Sequence, residues 1–430
     1  MKRFMIISVI IAGIFLWSGC SSGGMQTNDN ALPKEDHATE ITIEVRDTTS
    51  FYVNAAKKFE EETGVKVNVI NDYKRLSSED LNANVDRIQA ELMAGKGADI
   101  YANTYLDYAS IGKNKHLCNV ANWIAKDSSF SDDAYYMNIL KSGFDEGDVY
   151  SVPLFMYFSA LGSAIKVPEL DGKSFSWEEF FDFAKGIKRN GILYSMTDYE
   201  IFKRRFKDRY VRFINEENKT QNLDSPELVK LLEQCKEWSR EGLCIPYDAE
   251  NESELNDKSF FKEYDGGDMD ILTYFRFDNP YMDNEPYYYN IPSDSEKNDI
   301  ANKISLAQII CINRATPYKA TAWKFVKFLL SEDIQATGQF TPINRKAADR
   351  HINKGLNETI SYFGVKADAN KIIKESEAIL DSVDRVSTNF KTDIEKNVLE
   401  ESKRFFKSEI TADAAAKNMA ARVKLYFKER

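Results

Sequence analysis

Histidine and cysteine are scarce in this chain. It has three histidines and five cysteines among 430 residues, and none of them forms an HExxH or CxxC pattern. These side chains supply the usual ligands of zinc and the base of most catalytic triads. Three histidines therefore offer few residues from which a metal site or a triad could be built. The chain also lacks a P-loop and a GxGxxG motif, the usual nucleotide cradles. The sequence therefore predicts no metal and no cofactor.

Positive charge is also in short supply. The formal net charge is −11, which opposes binding to nucleic acid or to anionic lipid. A composition of 43% hydrophobic and 29% charged residues is that of a globular chain rather than a disordered one. A length of 430 residues is too great for one compact core and suits two domains. We therefore expect an acidic, two-domain protein that does not bind nucleic acid.

The first two dozen residues predict export. A positively charged start precedes an apolar run at residues 4–17, and small residues follow it, which is the arrangement of a signal peptide. The run is shorter than the ~20 apolar residues that cross a membrane, so a permanent transmembrane helix is the weaker interpretation. We predict a signal peptide over residues 1–19 and a polar, flexible tether over residues 20–39.

Cys20 stands directly after the predicted cleavage site. Gly19 precedes it, and the flexible sequence SSGG follows it. This pattern resembles the lipobox of bacterial lipoproteins, although Trp17 stands where leucine is usual. In that family the cysteine is lipidated and becomes the mature N-terminus. The resemblance implies an exported protein, anchored through Cys20 to the cell membrane and facing its extracytoplasmic side.

The other four cysteines allow two interpretations. Cys235 and Cys244 are close enough in sequence to form a local disulfide bond. Unbonded cysteines are among the most buried residues, so four isolated core thiols, with Cys118 and Cys311 among them, are the favoured alternative.

Strands and helices alternate once the tether ends. Three β-rich runs, at 41–45, 65–70 and 98–101, are separated by helical patterns that begin near Ser50 and Ser77. Alternation at this spacing predicts an α/β fold with a largely parallel sheet and right-handed crossovers.

Two later helices have clear starts. Ser176 and Glu179 have the spacing of a capping box. Ser225 precedes Pro226, and proline is favoured at the first position of a helix. No repeat of fixed period occurs, which excludes solenoids and propellers.

Seven segments, in order, resemble one known family. It is family 1 of the bacterial extracellular solute-binding proteins, the carbohydrate receptors of ABC importers, with maltose-binding protein as a distant relative. The similarity spans about residues 41–430. The segments are AAKKFEEETGVKVNV at 55–69, ELMAGKGADIYAN at 91–103, DVYSVPLFMYFSALG at 148–162, SFSWEEFFDFAK at 174–185, YYYNIP at 287–292, ATAWKFVKFLLSEDIQ at 320–335 and TPINRKA at 341–347.

The resemblance implies a two-lobed, periplasmic-binding-protein-like α/β fold. Its lobes are discontinuous and are joined by hinge strands, and the ligand cleft lies between them. Carried over by position, lobe 1 comprises residues 40–152 plus 291–314, lobe 2 comprises residues 160–287 plus 320–430, and the hinge crossovers fall at 152–160, 287–291 and 313–320.

Candidate ligand contacts follow the strands of this fold. Ligands of open α/β sheets bind beyond the carboxyl ends of the strands. A sugar needs polar side chains for its hydroxyls and an aromatic face for its ring. For each aromatic candidate, packing in the core or hinge is the alternative. The predicted ligand-binding residues are Asp47, Thr48, Asn103, Tyr105, Phe155, Tyr157, Tyr274, Arg276 and Asn344.

The function that the resemblance implies is a non-enzymatic receptor. It would bind a carbohydrate or oligosaccharide as a monomer, close around it and pass it to the membrane subunits of an ABC permease. A lipoprotein that senses a ligand for a membrane kinase would use the same cleft, so that alternative stays open. A surface glycan hydrolase is weaker, because adjacent carboxylates such as Glu178 and Glu179 do not share a helix face.

The predicted lipid anchor can be tested at Cys20. We expect Cys20→Ala to release or mislocalise the protein while solute binding stays intact, because the acyl chains attach outside the cleft. Since one acyl chain anchors a protein only marginally, native Cys20 should carry more than one. Membrane fractionation with immunoblotting measures the distribution, and an unchanged membrane fraction would contradict the lipoprotein interpretation.

Overall fold

The structure is a computed structural model. It describes residues 32–46, 49–71, 78–141, 147–171, 173–187, 192–194, 196–216, 218–245, 260–264, 287–294, 304–363, 368–383 and 393–429. The predicted signal peptide, Cys20 and the tether up to residue 31 lie outside these residues. Among the residues that are described, no helix combines the length and the apolar character needed to span a membrane.

The first sheet has six strands in the order β13-β4-β12-β3-β1-β2. β1 runs parallel to β2 and β3, as the alternation of strands and helices predicts, and β12 runs antiparallel to both β3 and β4. The strands are β1 (Glu40–Val45), β2 (Lys66–Ile70), β3 (Ile100–Ala102), β4 (Val152–Phe158), β12 (Ile304–Ile312) and β13 (Thr341–Pro342).

Helices cover this sheet. Phe59 of the first helix packs edge-on against Phe325 of a later one, with ring centroids 5.1 Å apart. The helices whose apolar side chains join this core, or that lie between its strands, are α1 (Thr49–Thr63), α2 (Ser78–Met93), α3 (Tyr108–Lys113), α4 (Ala121–Lys126), α5 (Met137–Leu140), α10 (Lys319–Leu329), α11 (Glu332–Gln335), α12 (Arg345–Phe363) and α13 (Ala369–Asp381).

The second sheet has five strands in the order β11-β5-β10-β6-β9. Its core is separate from that of the first sheet. The strands are β5 (Ala160–Ser163), β6 (Leu193–Tyr194), β9 (Cys244–Ile245), β10 (Phe261–Tyr264) and β11 (Tyr287–Tyr289), and a small hairpin pairs β7 (Ile214–Asn215) with β8 (Thr220–Gln221). The helices are α6 (Trp177–Lys185), α7 (Asp198–Asp208), α8 (Tyr210–Phe213), α9 (Pro226–Arg240), α14 (Asp393–Phe406) and α15 (Ala412–Glu429).

Both predicted helix starts in this lobe are confirmed. The Glu179 amide donates to Ser176 Oγ at 3.2 Å, and the Ser176 amide donates to Glu179 Oε2 at 2.8 Å, which completes the capping box. Pro226 occupies the first turn of α9, where the Ser225 side chain accepts from the Leu228 amide.

The four cysteines 118, 235, 244 and 311 are buried and form no disulfide bond, so Cys235 and Cys244 are not bonded to each other. Burial raises the pKa of Cys235 to about 12. Because the thiolate is the reactive form, this thiol stays protonated and inert at neutral pH.

The two sheets together form the predicted two-lobed fold. β4 lies in the first sheet and β5 in the second, and Ser159 separates them. The chain returns from β11 in the second sheet to β12 in the first. The first passage falls within the predicted crossover 152–160. The second lies after residue 294 rather than at 287–291, because Ile291 joins the second core and Asp294 pairs with Arg205 of that lobe.

The third crossover does not lie where it was predicted. Trp323 packs edge-on against Trp123 at 5.6 Å between ring centroids, so α10 belongs to the first core. Buried residues as far as Val383 join that core, and the second core resumes at Ile394. The chain therefore passes to the second lobe after residue 383 rather than at 313–320. An amphipathic pattern shows that a helix has an apolar face but not which sheet that face covers.

The end of the predicted tether is packed against the body. Asp36 Oδ2 accepts from the amides of Ala320 at 2.8 Å and Thr321 at 3.2 Å, at the start of α10. The Ala38 side chain is buried in the first core. The packed part of the chain thus begins before the predicted boundary at residue 39.

A buried ion pair anchors the segment that leaves the second lobe. Asp294 follows β11, and its Oδ2 lies 2.5 Å from Arg205 Nε and 3.1 Å from Arg209 Nε. The side chains of Arg205 and Asp294 are 0% and 1% exposed. Asp294 Oδ1 also accepts from the Trp177 amide at 3.3 Å. One carboxylate therefore joins the crossover segment to α6 and α7.

We expect Asp294→Asn to lower the free energy of unfolding by about 3–5 kcal/mol, because it removes the buried counter-charge of the Arg205 cation and leaves only Glu178, which is 49% exposed, at 3.4 Å. Chemical denaturation followed by circular dichroism measures the change. Arg350→Gln is the control: Arg350 pairs with Glu332 and Asp333 at the surface, where ion pairs contribute little. Equal stability of both variants and the parent would contradict the anchoring role.

Candidate functional site

The carboxyl edge of the first sheet brings together residues that follow different strands. Val45 of β1 pairs with Ala102 of β3, so the two strands end side by side. The Arg46 amide donates to the Ala102 carbonyl at 3.1 Å, which places Arg46 next to Asn103. We call this region, with Arg46, Asn103, Tyr105 and Gln308, the carboxyl-edge site.

Asn103 offers a hydrogen-bond donor at this edge. The residue is 3% exposed, and its Oδ1 accepts from the Tyr105 amide at 3.0 Å. Its buried Nδ2 has no acceptor among the described residues. Because an unmade hydrogen bond of a buried amide costs free energy, such a group is suited to a ligand that supplies the missing acceptor.

Tyr108 holds the backbone of Asn103 in place. The Tyr108 hydroxyl lies at hydrogen-bond distance from the Asn103 carbonyl and 3.0 Å from the carbonyl of Ile309 in β12. Burial raises the pKa of Tyr108 well above its ordinary value, so the phenol stays neutral and can donate. The loop after β3 is therefore tied to the neighbouring strand.

Arg46 and Tyr105 form a stacked pair. The Arg46 guanidinium carbon lies 4.0 Å from the centroid of the Tyr105 ring. Both side chains are half-buried. Stacking restricts the long Arg46 side chain, so its planar fork of donors is oriented before a ligand arrives.

Gln308 has a strained backbone in the middle of β12. Its φ is +51°, a left-handed value that non-glycine residues seldom adopt. Ala307 and Ile309 on either side pair with Phe155 and Pro153 of β4, and the register is the same on both sides of Gln308. Ile310 pairs with Ala102, the last residue of β3, so Gln308 lies beyond the carboxyl end of β3, on the side where Asn103 follows. Strain of this kind is found preferentially at functional sites, where it re-aims a side chain.

Sequence reasoning named Asn103 and Tyr105 but missed Gln308. No residue type or spacing in the run ISLAQIICI indicates a left-handed residue. The one signal was a long polar side chain in a strand that is apolar apart from Ser305 and whose nine residues are all buried.

Phe155 and Tyr157 lie on β4, where they pair with Ala307 and Ser305 of β12. Phe155 is fully buried, and its ring packs edge-on against Phe51 at 5.3 Å between centroids. A Cβ at Gly338 would lie 2.3 Å from the Phe155 ring, so this glycine makes room for it. Tyr157 is half-buried and packs at 5.9 Å from Phe340. These contacts fit the alternative interpretation, in which an aromatic candidate packs in the core or hinge. A ligand contact at either residue stays a prediction.

Asn344 forms hydrogen bonds at the start of α12. Its Oδ1 accepts from the Ala347 amide at 3.1 Å, its amide donates to Gln335 Oε1 at 2.7 Å, and its Nδ2 donates to the Leu330 carbonyl at 3.3 Å. The polar atoms of Asn344 are thus engaged within the first lobe.

Four predicted ligand contacts, Asp47, Thr48, Tyr274 and Arg276, lie outside the described residues. Their roles stay predictions. The described part of the chain holds no group of three or more His, Cys, Asp or Glu side chains that could bind a metal ion.

Comparisons with known proteins identify the family and the fold of this chain. A sequence model of the bacterial extracellular solute-binding proteins matches residues 54–357. A search of curated proteins found no match.

Several solved structures share the fold at low sequence identity. A solute-binding protein of an ABC transporter from Thermotoga lettingae, bound with α-D-tagatose, is 16% identical, with a TM-score of 0.58 over 91% of this chain and 100% of that one. A maltose/maltodextrin-binding domain from Bdellovibrio bacteriovorus, bound to maltotriose, is 15% identical, with a TM-score of 0.57 over 90% and 100%. An ABC substrate-binding protein from Listeria monocytogenes, in complex with cycloalternan, is 14% identical, with a TM-score of 0.60 over 91% and 100%.

The donor role of Asn103 Nδ2 can be tested separately from the hydrogen bond that Asn103 Oδ1 accepts from the Tyr105 amide. Asn103→Asp keeps the Oδ1 acceptor for the Tyr105 amide but replaces the Nδ2 donor with a charged acceptor. We expect solute affinity to fall at least about tenfold, because the hydrogen bond from Nδ2 to the solute is lost and a carboxylate oxygen then faces the acceptor atom of the solute. Isothermal titration measures affinity, and circular dichroism checks the fold.

Asn114→Asp is the matched control for this test. Asn114 is exposed at the end of α3, on the opposite edge of the sheet, and the substitution adds the same charge. Its affinity should equal that of the parent. Equal affinities of Asn103→Asp and Asn114→Asp would count against the carboxyl-edge site.

Proposed function

The chain belongs to the bacterial extracellular solute-binding proteins, and from that membership we propose that it is the receptor of an ABC importer whose solute is a carbohydrate or oligosaccharide. Membership of this family implies export. The observation that carries the proposal for the binding site is the unsatisfied donor of Asn103 beside the stacked Arg46 and Tyr105 pair, at the carboxyl edge of the first sheet.

A sugar suits this arrangement chemically. Its hydroxyl oxygens accept from amide and guanidinium donors, and the C–H side of its ring packs on an aromatic face. Asn103 and Arg46 supply donors, and Tyr105 supplies an aromatic ring. Sugars are bound in the structurally similar proteins from Thermotoga lettingae, Bdellovibrio bacteriovorus and Listeria monocytogenes, which supports the same ligand class for this chain.

The two lobes supply the means of capture. A solute that contacts both lobes favours the closed arrangement only by the contacts it gains there. The crossover at Ser159 connects β4 directly to β5, so small changes in backbone dihedrals at this point rotate one lobe against the other. We infer that closure around the solute creates the form that the permease accepts.

Cys20 completes the proposal. An acylated Cys20 would hold a monomeric receptor at the outer face of the membrane and raise its effective concentration beside the permease. The sequence around Cys20 supports this anchor through its resemblance to the lipobox.

A thermal-shift screen tests the proposed ligand class. The purified protein is heated with mono- and oligosaccharides, polyols, amino acids and peptides, each in separate wells. A true solute at about 100 times its Kd should add about 2.7 kcal/mol to the free energy of unfolding, which raises the melting temperature by several degrees. A shift with amino acids or peptides but with no saccharide would contradict the carbohydrate assignment, and no shift with any class would contradict solute capture.

A further inference from the structure

Three helices of the first lobe meet where α12 begins and α13 ends. Arg345 is the first residue of α12 and Asp381 the last of α13, and Arg345 Nη2 lies 2.5 Å from Asp381 Oδ1. The start of one helix thus meets the end of the other, so the two run antiparallel. Asn138 of α5 joins them, because its Nδ2 donates to the carbonyls of Leu380 at 2.8 Å and Val383 at 2.9 Å.

Two carboxylates face each other one helical turn inside this contact. Asp349 follows Arg345 by four residues on α12, and Glu377 precedes Asp381 by four residues on α13. Residues four apart share a side of a helix, so Asp349 and Glu377 form the next pair along the antiparallel contact. Both are half-buried. Burial raises the pKa of Asp349, and the charge of Glu377 raises it further, which agrees with this placement.

Arg345 does not neutralise this pair. It lowers the pKa of Asp349, but by less than Glu377 raises it. Arg345 is also engaged elsewhere, since its Nη2 contacts Asp381 and its Nε donates to the Asp132 carbonyl at 2.5 Å.

The other lysines and arginines of these helices are exposed. They are Lys141, Lys346, Arg350, Lys354, Lys371 and Lys374. Three of them pair with acids of their own: Arg350 with Glu332 and Asp333, Lys354 with Glu358, and Lys371 with Glu375. His351 is two residues from Asp349 and therefore lies on another side of α12. Negative charge thus predominates between Asp349 and Glu377.

A buried hydroxyl lies at the same place. Tyr136 directly precedes α5 and is 0% exposed, and its hydroxyl has no hydrogen-bond partner among the described residues. Burial raises the pKa of Tyr136, and the adjacent Arg345 lowers it. Among the carboxylates that raise this pKa, Asp349 acts most strongly and Glu377 next. The buried Oδ1 of Asp349 likewise has no donor in the part of the chain that the structure describes. Two buried oxygen atoms therefore lie close together, and each can take a further partner.

We propose that Asp349, Glu377 and the Tyr136 hydroxyl bind a calcium ion. Ca²⁺ takes about six to eight oxygen ligands in irregular geometry and accepts carboxylates and water, whereas Mg²⁺ demands a regular octahedron. Two carboxylates and one hydroxyl, completed by water, suit the larger ion. The cation also removes the repulsion between the two acids. The site has two carboxylates rather than three, and its ligands come from three separate helical segments, so no spacing in the sequence indicates it.

A calcium ion here holds α13 against α12. The chain leaves the first core after Val383, only two residues beyond the end of α13. The ion therefore stiffens the place from which the chain passes to the second lobe.

Thermal unfolding tests the site. The purified protein is stripped of metal with EGTA and dialysed, and no solute is present. About 5 mM CaCl2 is ten times a Kd of about 0.5 mM and should increase the folded-to-unfolded ratio about elevenfold, which raises the melting temperature by about 3 °C. The same concentration of MgCl2 should add less than about 1 °C. No shift with calcium would overturn the proposal, and stabilisation by mild acid but not by calcium would assign a shared proton to the pair instead.

A double variant separates the site from other acids. Asp349→Asn with Glu377→Gln removes both charges and keeps the side-chain shapes. Without calcium it should melt at the temperature of the parent or slightly above, because the repulsion is gone, and calcium should no longer raise that temperature. The control, Asp182→Asn with Glu237→Gln, removes two exposed carboxylates of the second lobe and should keep the full shift. Equal calcium shifts in the two double variants would place the ion elsewhere and overturn the proposal.

Isothermal titration with CaCl2 measures the binding directly. We expect the Kd to rise at least about tenfold in the site double variant. Tyr136→Phe removes one ligand but keeps the ring that lies 4.2 Å from the Arg345 guanidinium, so it should fold even if the double variant does not, and its Kd should rise about threefold. An unchanged Kd in Tyr136→Phe and in the double variant would contradict the site. Because no solute enters these measurements, their outcome is independent of the proposed receptor function.

Discussion

The pairing of β12 with both β3 and β4 is the constraint on which the candidate site depends. All nine residues of β12 are buried between two antiparallel neighbours. This pairing ties the loop after β3 to the sheet through Tyr108 and sets Gln308 beyond the carboxyl end of β3. It also fixes β4, which continues into the second lobe through Ser159. The position of the donors and the path between the lobes thus follow from one set of strand contacts.

The second lobe depends on a different kind of interaction. Buried Arg205 and Asp294 hold the segment after β11 against α6 and α7, and Trp238 packs 4.8 Å from the Arg205 guanidinium. A buried ion pair contributes little net stability but is costly to break, so it restricts the segment to one arrangement. A rigid attachment on each side of a crossover lets two lobes move as bodies, which solute capture by closure requires.

Local sequence patterns were sufficient to predict individual helices and strands but not which core each helix packs against. The capping box at Ser176, the proline start of α9 and the parallel strands β1 to β3 are local or short-range features, and all were predicted. The packing of α10 on the first core was not, because the apolar face of Trp323 fits either sheet. For the same reason, a phenylalanine such as Phe155 in an apolar strand does not show by itself whether it faces a ligand or the core.

The sequence by itself determined the family, the two-lobed α/β class and the residues after β3 that form the loop of the site, because these depend on periodicity, caps and motif order along the chain. Only the tertiary structure decided that Asn103 keeps an unused donor, that Gln308 has a strained backbone and that Asp36 fastens the N-terminal segment to α10. Hydrogen-bond satisfaction and backbone strain are decided by contacts between segments distant in the chain, and no local pattern records those contacts.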